Sequence, residues 1–298
     1  MRPVRAVLAA TDLSPQAGLA GERAAQLAAL HGATLTLLHA APSVVIWPPW
    51  GDFGAVAWVD DSALREAARS RLDYLAQALG LRHGIPCAAR VAVGPVVPAI
   101  EQAALDIDAD LVVTGATGEG TLARRLLGST VQALLGAPSS RPLLVVRSDR
   151  TEPYRRMLAA VQFEPSAEHA AHFAQRLVPG AELALFHAIE RPLWLALWRR
   201  IHGEHAAPAD AAAQAAAARQ RLQQFAAQLG QPQALLHVHE GRASHELDAV
   251  LAAARPDLLV LGAPPQARFV SEAGALRRHA AAEAPCDVLV VPQRELQP

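Results

Sequence analysis

The sequence contains the same pattern twice, so that each copy takes about half of the chain. The clearest matches pair ADLVVTGA at residues 109–116 with PDLLVLGA at 256–263, and LLHA at 37–40 with LFHA at 185–188. A single repeat of this length indicates a duplicated domain rather than a solenoid, and 298 residues is the usual size of two domains. We therefore predict two domains, residues 1–148 and 153–298, joined near Ser148 to Glu152.

Within each half, short apolar runs alternate with longer alanine-rich segments that have a helical pattern. The predicted strands lie near 4–10, 33–40, 87–93, 110–114 and 142–147, and then near 156–161, 181–188, 234–239, 257–261 and 287–291. The predicted helices lie near 15–31, 61–80, 95–107, 129–136, 166–177, 209–229, 243–254 and 272–283. Valine and leucine runs without alternation are typical of parallel strands covered on both faces, and parallel strands need crossover helices. The predicted fold class is α/β, with two tandem sandwich domains, each a mostly parallel five-stranded sheet with helices on both faces.

Composition excludes several classes of function. The sequence has no lysine, so all 27 basic residues counted as Lys and Arg are arginine. A Walker A loop, a pyridoxal Schiff base and a lysine nucleophile are therefore excluded. The net charge is -1, the charges balance in each half, and no basic stripe is present, so we expect no nucleic-acid partner.

The expected location is the cytoplasm. No apolar stretch reaches the length of a bilayer span, so stable membrane insertion is not expected. The first residues lead directly into a predicted strand, without the apolar region of a secretory signal. The two cysteines, Cys87 and Cys286, each lie in an apolar segment and are interpreted as reduced core residues.

Small and polar residues follow the predicted strands of the first half. Thr11 and Asp12 come after the first strand, and Gly115 and Gly118 come at the end of the fourth. Gly128 then opens the next helix together with Ser129 and Thr130, which gives the pattern Gly-x2-Gly-x9-Gly-Ser. Parallel sheets bind ligands beyond the carboxyl ends of their strands. Free amides at the start of the helix after Gly128 would form an anion site without any lysine.

Each half resembles a universal stress protein domain, and the resemblance runs over nearly the whole chain. It rests on ATDLS at residues 10–14, on LHA at 38–40, and on the spacing of Gly115, Gly118 and Gly128-Ser129. In ATP-binding members of that family this spacing is the nucleotide signature. The resemblance implies the adenine nucleotide alpha hydrolase-like fold, with an intact nucleotide motif in residues 1–148 and a degenerate one in 153–298.

The resemblance also implies the ligand and the role of each site residue. Ala10, Thr11 and Asp12 would line the adenosine pocket, Ala40 would contact adenine, Gly115 beside Thr114 would meet the ribose, and Thr117, Gly118, Gly128, Ser129 and Thr130 would hold the phosphates. Arg124 and Arg125 are close enough in sequence to add positive charge. The expected cofactor is ATP, with magnesium left open, and no catalytic residue is assigned.

A plainer interpretation exists for each of these residues taken singly. Glycine after a strand is common in α/β proteins, and serine at a helix start is usually an N-cap. The second half is an internal control, because its equivalent positions carry Gln162 for Asp12, Pro265 for Gly118, Ala275 for Gly128 and Leu276 for Ser129. Proline has no amide hydrogen and leucine no hydroxyl, so that half loses the phosphate cradle. We therefore favour nucleotide binding, with one nucleotide per chain.

Two further groups of residues have both a functional and a structural interpretation. His187, His237, His239 and His245 could bind zinc, but strand-end histidines are often only half exposed, and no metal is expected. All five tryptophans follow the second strand of either half, at Trp47, Trp50, Trp58, Trp194 and Trp198. Their segments could form a partner surface or lie on a membrane surface, and a cover over the sheet or the junction between halves is the favoured interpretation.

The expected function is that of an ATP-binding stress-response or regulatory module. The alternative is a slow ATPase or phosphotransferase that uses Asp12, Ser14 and Ser129 at the same site. Hydrolysis needs a positioned water, a base and charge stabilisation, usually with magnesium, so at most weak turnover is expected. A flavoprotein-like or pyrophosphatase-type enzyme fits less well, because each half is short and complete. The last strands of the two halves could pair in an intramolecular pseudo-dimer; a homodimer and an unknown protein partner stay open.

Overall fold

The structure is a computed structural model that describes residues 3–41, 45–46, 57–58, 62–117, 127–136, 141–190, 211–264 and 272–293. The chain divides into two compact units, Met1–Thr151 and Glu152–Pro298. Cys87 is half-buried and Cys286 is buried, and both are free thiols. None of the helices in the described part of the chain is long and apolar enough to cross a bilayer.

The first unit is a parallel sheet with crossover helices. Its elements are β1 Ala6–Ala10, α1 Pro15–His31, β2 Thr34–Ala41, β3 Val45–Ile46, β4 Ala57–Trp58, α2 Ser62–His83, β5 Cys87–Val93, α3 Val96–Asp106, β6 Leu111–Gly115, α4 Ser129–Gly136 and β7 Leu143–Val146. The strand order is β7-β6-β1-β2-β5, and every neighbour in that sheet is parallel. The short pair β3 and β4 is antiparallel and separate, and the sequence pattern did not predict it.

The second unit repeats this arrangement. Its elements are β8 Arg156–Ala160, α5 Pro165–Leu177, β9 Glu182–Ile189, α6 Ala211–Gln228, β10 Leu235–Glu240, α7 Ala243–Ala254, β11 Leu258–Ala263, α8 Glu272–Glu283 and β12 Asp287–Pro292. The strand order is β12-β11-β8-β9-β10, again with parallel neighbours. The predicted fold class, two tandem α/β domains with mostly parallel five-stranded sheets, is therefore confirmed.

The inner strands form the centre of each core. All four residues of β7 are buried, and Leu111, Val112 and Val113 of β6 are at most 5% exposed. Strands that are covered on both faces show no alternation of apolar and polar residues, which explains their continuous apolar runs. The outer strand β5 has no fully buried residue, in keeping with its position in the strand order.

Helix α1 has a defined beginning and end. The Ser14 hydroxyl accepts a hydrogen bond from the Ala17 amide at 3.2 Å, and Pro15 occupies the first helical position. Gly32 ends the helix with a left-handed φ of 60°. These signals place the start of α1 directly after β1, at the carboxyl edge of the sheet.

Candidate functional site

A cleft of about 250 Å³ opens at the carboxyl edge of the first sheet. It lies beyond the ends of β1, β2 and β6, between the first turns of α1, α3 and α4. All the predicted site residues except Gly118 line it: Ala10, Thr11, Asp12, Ala40, Thr114, Gly115, Thr117, Gly128, Ser129 and Thr130. Gly118 lies outside the described residues, as do Arg124 and Arg125. The structure thus brings together residues that are more than one hundred positions apart in sequence.

Apolar residues that the sequence analysis did not identify complete the cleft. Ala17, Leu38 and Val131 line it near the predicted polar residues, and Val96 and Ile100 line it from α3. Val96 is partly exposed and Ile100 is buried. Together with Ala40, the two α3 side chains form an apolar wall of the cleft.

The polar groups of the turn between β1 and α1 form hydrogen bonds within the turn itself. The Leu13 amide donates to the Thr11 hydroxyl at 3.0 Å, and the Ser14 amide donates to Asp12 Oδ1 at 3.0 Å. With the Ser14 cap on the Ala17 amide, the beginning of α1 is largely satisfied by its own side chains. This side of the cleft therefore offers the Asp12 carboxylate and the Thr11 side chain rather than a set of free amides.

The beginning of α4 is different. The Gly128 amide donates to the Ala116 carbonyl at 2.8 Å, so Gly128 contributes no free amide. The first hydrogen bond of the helix runs from Gln132 to the Gly128 carbonyl at 3.0 Å. The amides of residues 129–131 precede that bond, and they have no acceptor among the described residues. These three residues all line the cleft, so its free donors begin one residue after Gly128.

The cleft carries little charge. Asp12 is the one charged residue among the described residues that line it, and no described lining residue is cationic. Its polar surface consists otherwise of hydroxyls, from Thr11, Ser129 and Thr130 among others, and of backbone groups. An anionic ligand in this cleft would be held by neutral donors at the α4 end, where the helix dipole adds positive potential.

The second unit preserves the turn after its first strand. The Val161 amide donates to the Phe186 carbonyl at 2.8 Å, as the Thr11 amide does to the Leu38 carbonyl at 2.9 Å. Phe163 has a φ of 56°, close to the 65° of Leu13. Gln162, between Val161 and Phe163, is exposed at the position of Asp12. The backbone is therefore duplicated, whereas the carboxylate is not.

The second unit does not preserve the helix start. Ala275 and Leu276, which align with Gly128 and Ser129, lie inside α8, because that helix begins at Glu272. Leu276 is 7% exposed and packs into the core. Pro265, which aligns with Gly118, is outside the described residues. The backbone amides of Ala275 and Leu276 are thus not at a helix terminus.

A buried arginine contacts the carboxyl end of β11 in the second unit. Arg277 is 5% exposed, and its Nη1 donates to the carbonyl oxygen of Gly262, the counterpart of Gly115. The Glu164 carboxylate at the start of α5 attracts it electrostatically, although burial lowers the pKa of Arg277 overall. In the first unit Gly115 lines the open cleft.

Three of the four candidate histidines form hydrogen bonds, whereas Nε2 of His237 is buried and has no hydrogen-bond partner among the described residues. His187 Nδ1 lies 2.7 Å from the Val161 carbonyl, and the two Glu246 oxygens face His239 and His245 at 3.2 and 3.3 Å. Within the described ranges no group of three His, Cys, Asp or Glu side chains could hold a metal ion. Of the tryptophans only Trp58, in β4, lies within a described element, so the interpretation of their segments is untested.

The comparisons with known proteins agree with the duplicated fold. The model of the Universal stress protein family matches residues 3–147 and 153–292. A universal stress protein of Mycolicibacterium smegmatis is 34% identical over 144 residues, which is 48% of both chains. A universal stress protein of Mycobacterium tuberculosis is 26% identical over 200 residues, which is 63% of this chain and 65% of the relative. The matches therefore span between about half and two thirds of the length of these curated relatives.

Solved structures match over nearly the whole chain. The crystal structure of a universal stress protein from Archaeoglobus fulgidus covers 97% of this chain and 98% of its own, with a TM-score of 0.72 and 17% identity. A putative universal stress protein from Pseudomonas aeruginosa covers 97% and 93%, with a TM-score of 0.62 and 19% identity. At these identities the likeness concerns the fold. Since the family model matches both halves in turn, the chain belongs to the universal stress protein family and carries two of its domains in tandem.

Proposed function

We propose that this chain binds one adenine nucleotide, with ATP as the first candidate, in the cleft of its first unit. One observation carries the proposal: the same cleft joins an apolar wall to the α4 start, where the amides of residues 129–131 have no acceptor among the described residues. A nucleotide needs both surfaces, because its base is flat and largely apolar and its phosphates are anionic. The nucleotide signature seen in the sequence supports the same ligand.

The residues of the cleft suggest how such a ligand would lie. The base would lie against Ala40 and the α3 residues Val96 and Ile100, and the ribose would lie near Gly115. The phosphates would accept hydrogen bonds from the amides and hydroxyls at the start of α4. Oxygen atoms are the ligands that magnesium prefers, and Asp12 is the one described carboxylate of the cleft that could hold this ion beside a phosphate. Magnesium would neutralise part of the phosphate charge.

We place binding and regulation before catalysis. Hydrolysis requires a base for the attacking water and a charge that stabilises the leaving phosphate. Asp12 Oδ1 already accepts the Ser14 amide, and no second carboxylate and no cation lines the cleft among the described residues. The chain would thus act as a cytoplasmic module that changes partners or stability with nucleotide, in a stress response. The protein partner and the assembly state stay predictions.

Slow ATP hydrolysis or phosphotransfer is the second candidate. The observation that favours it is that the Asp12 carboxylate and the Ser129 hydroxyl line the same cleft. Incubation with labelled ATP separates the candidates. Multiple turnovers that Asp12→Ala abolishes would support an enzyme, whereas intact ATP after prolonged incubation would support a binding module.

Calorimetric titration of the full chain with ATP, with and without magnesium chloride, tests the main proposal. We expect one site per chain, weakened by Asp12→Ala and unchanged by Gln162→Ala, the matched change in the second unit. Two equivalent sites would contradict the assignment to the first unit alone. A titration in which ATP gives no heat of binding and other adenine nucleotides show no competition would contradict nucleotide binding.

A further inference from the structure

His39 contacts the residue that begins the turn at the cleft. Its Nδ1 lies 3.0 Å from the carbonyl oxygen of Thr11, across the boundary between β2 and β1. A carbonyl oxygen only accepts hydrogen bonds, so Nδ1 must carry the proton in this contact. His39 is half-buried, and it is not among the described residues that line the cleft.

The second unit contains the same contact. His187 Nδ1 lies 2.7 Å from the carbonyl oxygen of Val161, which is the counterpart of Thr11. In both units the residue two positions further on has a left-handed backbone, with φ values of 65° at Leu13 and 56° at Phe163. A histidine that holds the last carbonyl before this turn therefore occurs twice in the chain.

The turn needs such a contact because its backbone is strained. The left-handed conformation is unfavourable for a residue with a branched or bulky side chain. The three polar groups of Thr11 are all engaged: its amide with Leu38, its hydroxyl with the Leu13 amide and its carbonyl with His39. The bonds to Leu38 and His39 join Thr11 to β2. The orientation of Thr11 and Asp12 toward the cleft thus depends on β2 and on His39.

We propose that His39 is a positioning residue for the ligand of the first unit. Its Nδ1–H donates to the Thr11 carbonyl oxygen and thereby orients the Thr11 and Asp12 side chains that line the cleft. His187 has the same structural role in a unit that lacks the carboxylate. This role rests on the proposed nucleotide binding, and the probe in its test is ATP.

Matched substitutions separate positioning from general stability. His39→Asn places an amide nitrogen the same number of bonds from Cα as Nδ1, so it can donate to the Thr11 carbonyl. His39→Leu has a similar size and no donor. We expect ATP affinity close to wild type for His39→Asn and roughly fivefold to tenfold weaker binding for His39→Leu, the effect of one lost hydrogen bond. His187→Leu, which breaks the twin contact, should leave ATP affinity unchanged.

Nitrogen-15 spectra of the full chain check the hydrogen bond on which the proposed role rests. His39 should show a protonated Nδ1 that donates to the Thr11 carbonyl oxygen, both with and without bound ATP. An Nε2–H tautomer at His39 would overturn the proposal. Equal ATP affinity of His39→Leu and wild type would also overturn it. The same holds if His39→Asn and His39→Leu lose ATP affinity equally, or if His187→Leu loses as much as His39→Leu.

Titration of the wild-type protein with ATP distinguishes a failure of the positioning role from a failure of nucleotide binding. If wild-type protein binds ATP and the His39 variants do not follow the expected order, the positioning role fails and nucleotide binding stands. If wild-type protein does not bind ATP, nucleotide binding fails, and the ligand-positioning role fails with it.

Discussion

The Arg277 guanidinium donates from Nη1 to the carbonyl oxygen of Gly262, at 3.5 Å. Gly262 is the residue before the last in β11, Gly115 is the last residue of β6, and Gly115 lines an open cleft. The counterpart of Gly115 thus accepts a hydrogen bond from a buried side chain of its own unit, whereas Gly115 lines a cleft. Because Arg277 comes from α8 and Gly262 from β11, the contact also joins a helix to the sheet.

Arg277→Ala should destabilise the second unit. The change removes a buried side chain and leaves the Gly262 carbonyl without this donor, which costs about 1–3 kcal/mol. Arg277→Met keeps most of the volume without the charge and should stay within about 1 kcal/mol of wild type, since buried charges are often replaceable by apolar groups. Hydrogen exchange of the second-unit amides measures the stability of both variants. Equal stability of Arg277→Ala and wild type would contradict this role of Arg277.

Gly262 should tolerate no side chain. A β-carbon there would lie 2.6 Å from the Ser166 carbonyl carbon and 2.8 Å from the Ala167 nitrogen, which are backbone atoms at the start of α5. We expect Gly262→Ala to destabilise the second unit by about 1–3 kcal/mol, because backbone cannot move aside as a flexible side chain can. Gly18→Ala is the matched control, since nothing lies within 4 Å of its β-carbon and the helix should gain roughly 0.5–1 kcal/mol. Thermal unfolding of both variants checks the order, and equal shifts would disprove it.

The fold was predictable from the sequence because the inner strands are apolar throughout. Helix α7 was predicted at 243–254 and found at Ala243–Ala254, and β6 was predicted at 110–114 and found at Leu111–Gly115. The predicted and observed bounds of most elements differ by one to three residues, because capping rather than periodicity determines where an element ends. The pair β3 and β4 was not predicted, because two residues per strand carry no periodic signal.

The cleft was predictable where it follows strand ends and where Gly128, Ser129 and Thr130 open a helix. Thr11, Asp12 and Gly115 come directly after strands, and parallel strands bring their carboxyl ends to one edge. Val96 and Ile100 come from a helix whose position over β2 depends on the strand order, which the sequence does not state. The hydrogen bond from the Gly128 amide to the Ala116 carbonyl likewise could not be predicted, because it is a contact across a loop.

The stability of the second unit should fall as the pH drops below about 6.5. Burial lowers the pKa of His187 and, assisted by the charge of His239, lowers the pKa of His237 from the ordinary value of 6.5. The unfolded chain then takes up protons before the folded one does, so stability is complete above the unfolded pKa and is lost as the pH falls through the folded pKa values. Urea unfolding between pH 7.5 and about pH 5 measures this dependence. The double variant His187→Asn/His237→Gln should have a flatter profile, and an unchanged slope would refute the assignment.

Ser129 offers a way to separate the contribution of a backbone amide from that of a hydroxyl. It is the first residue of α4, where proline is tolerated because the amide at that position has no helical partner. Ser129→Ala removes the hydroxyl alone, and Ser129→Pro removes the hydroxyl and the amide hydrogen together. If phosphates bind at this helix start, ATP affinity should fall from wild type to Ser129→Ala and again, by roughly tenfold, to Ser129→Pro.

Titration with ATP and with adenosine gives the decisive comparison for these variants. Adenosine has no phosphate, so its affinity should be the same in Ser129→Ala and Ser129→Pro, which shows that the apolar wall of the cleft is intact. Helicity and thermal unfolding should also match between the two variants, because α4 keeps its first internal bond from Gln132 to Gly128. If Ser129→Pro bound ATP as tightly as Ser129→Ala, the free amides of α4 would not be the phosphate donors, and the phosphates would have to lie elsewhere along the cleft.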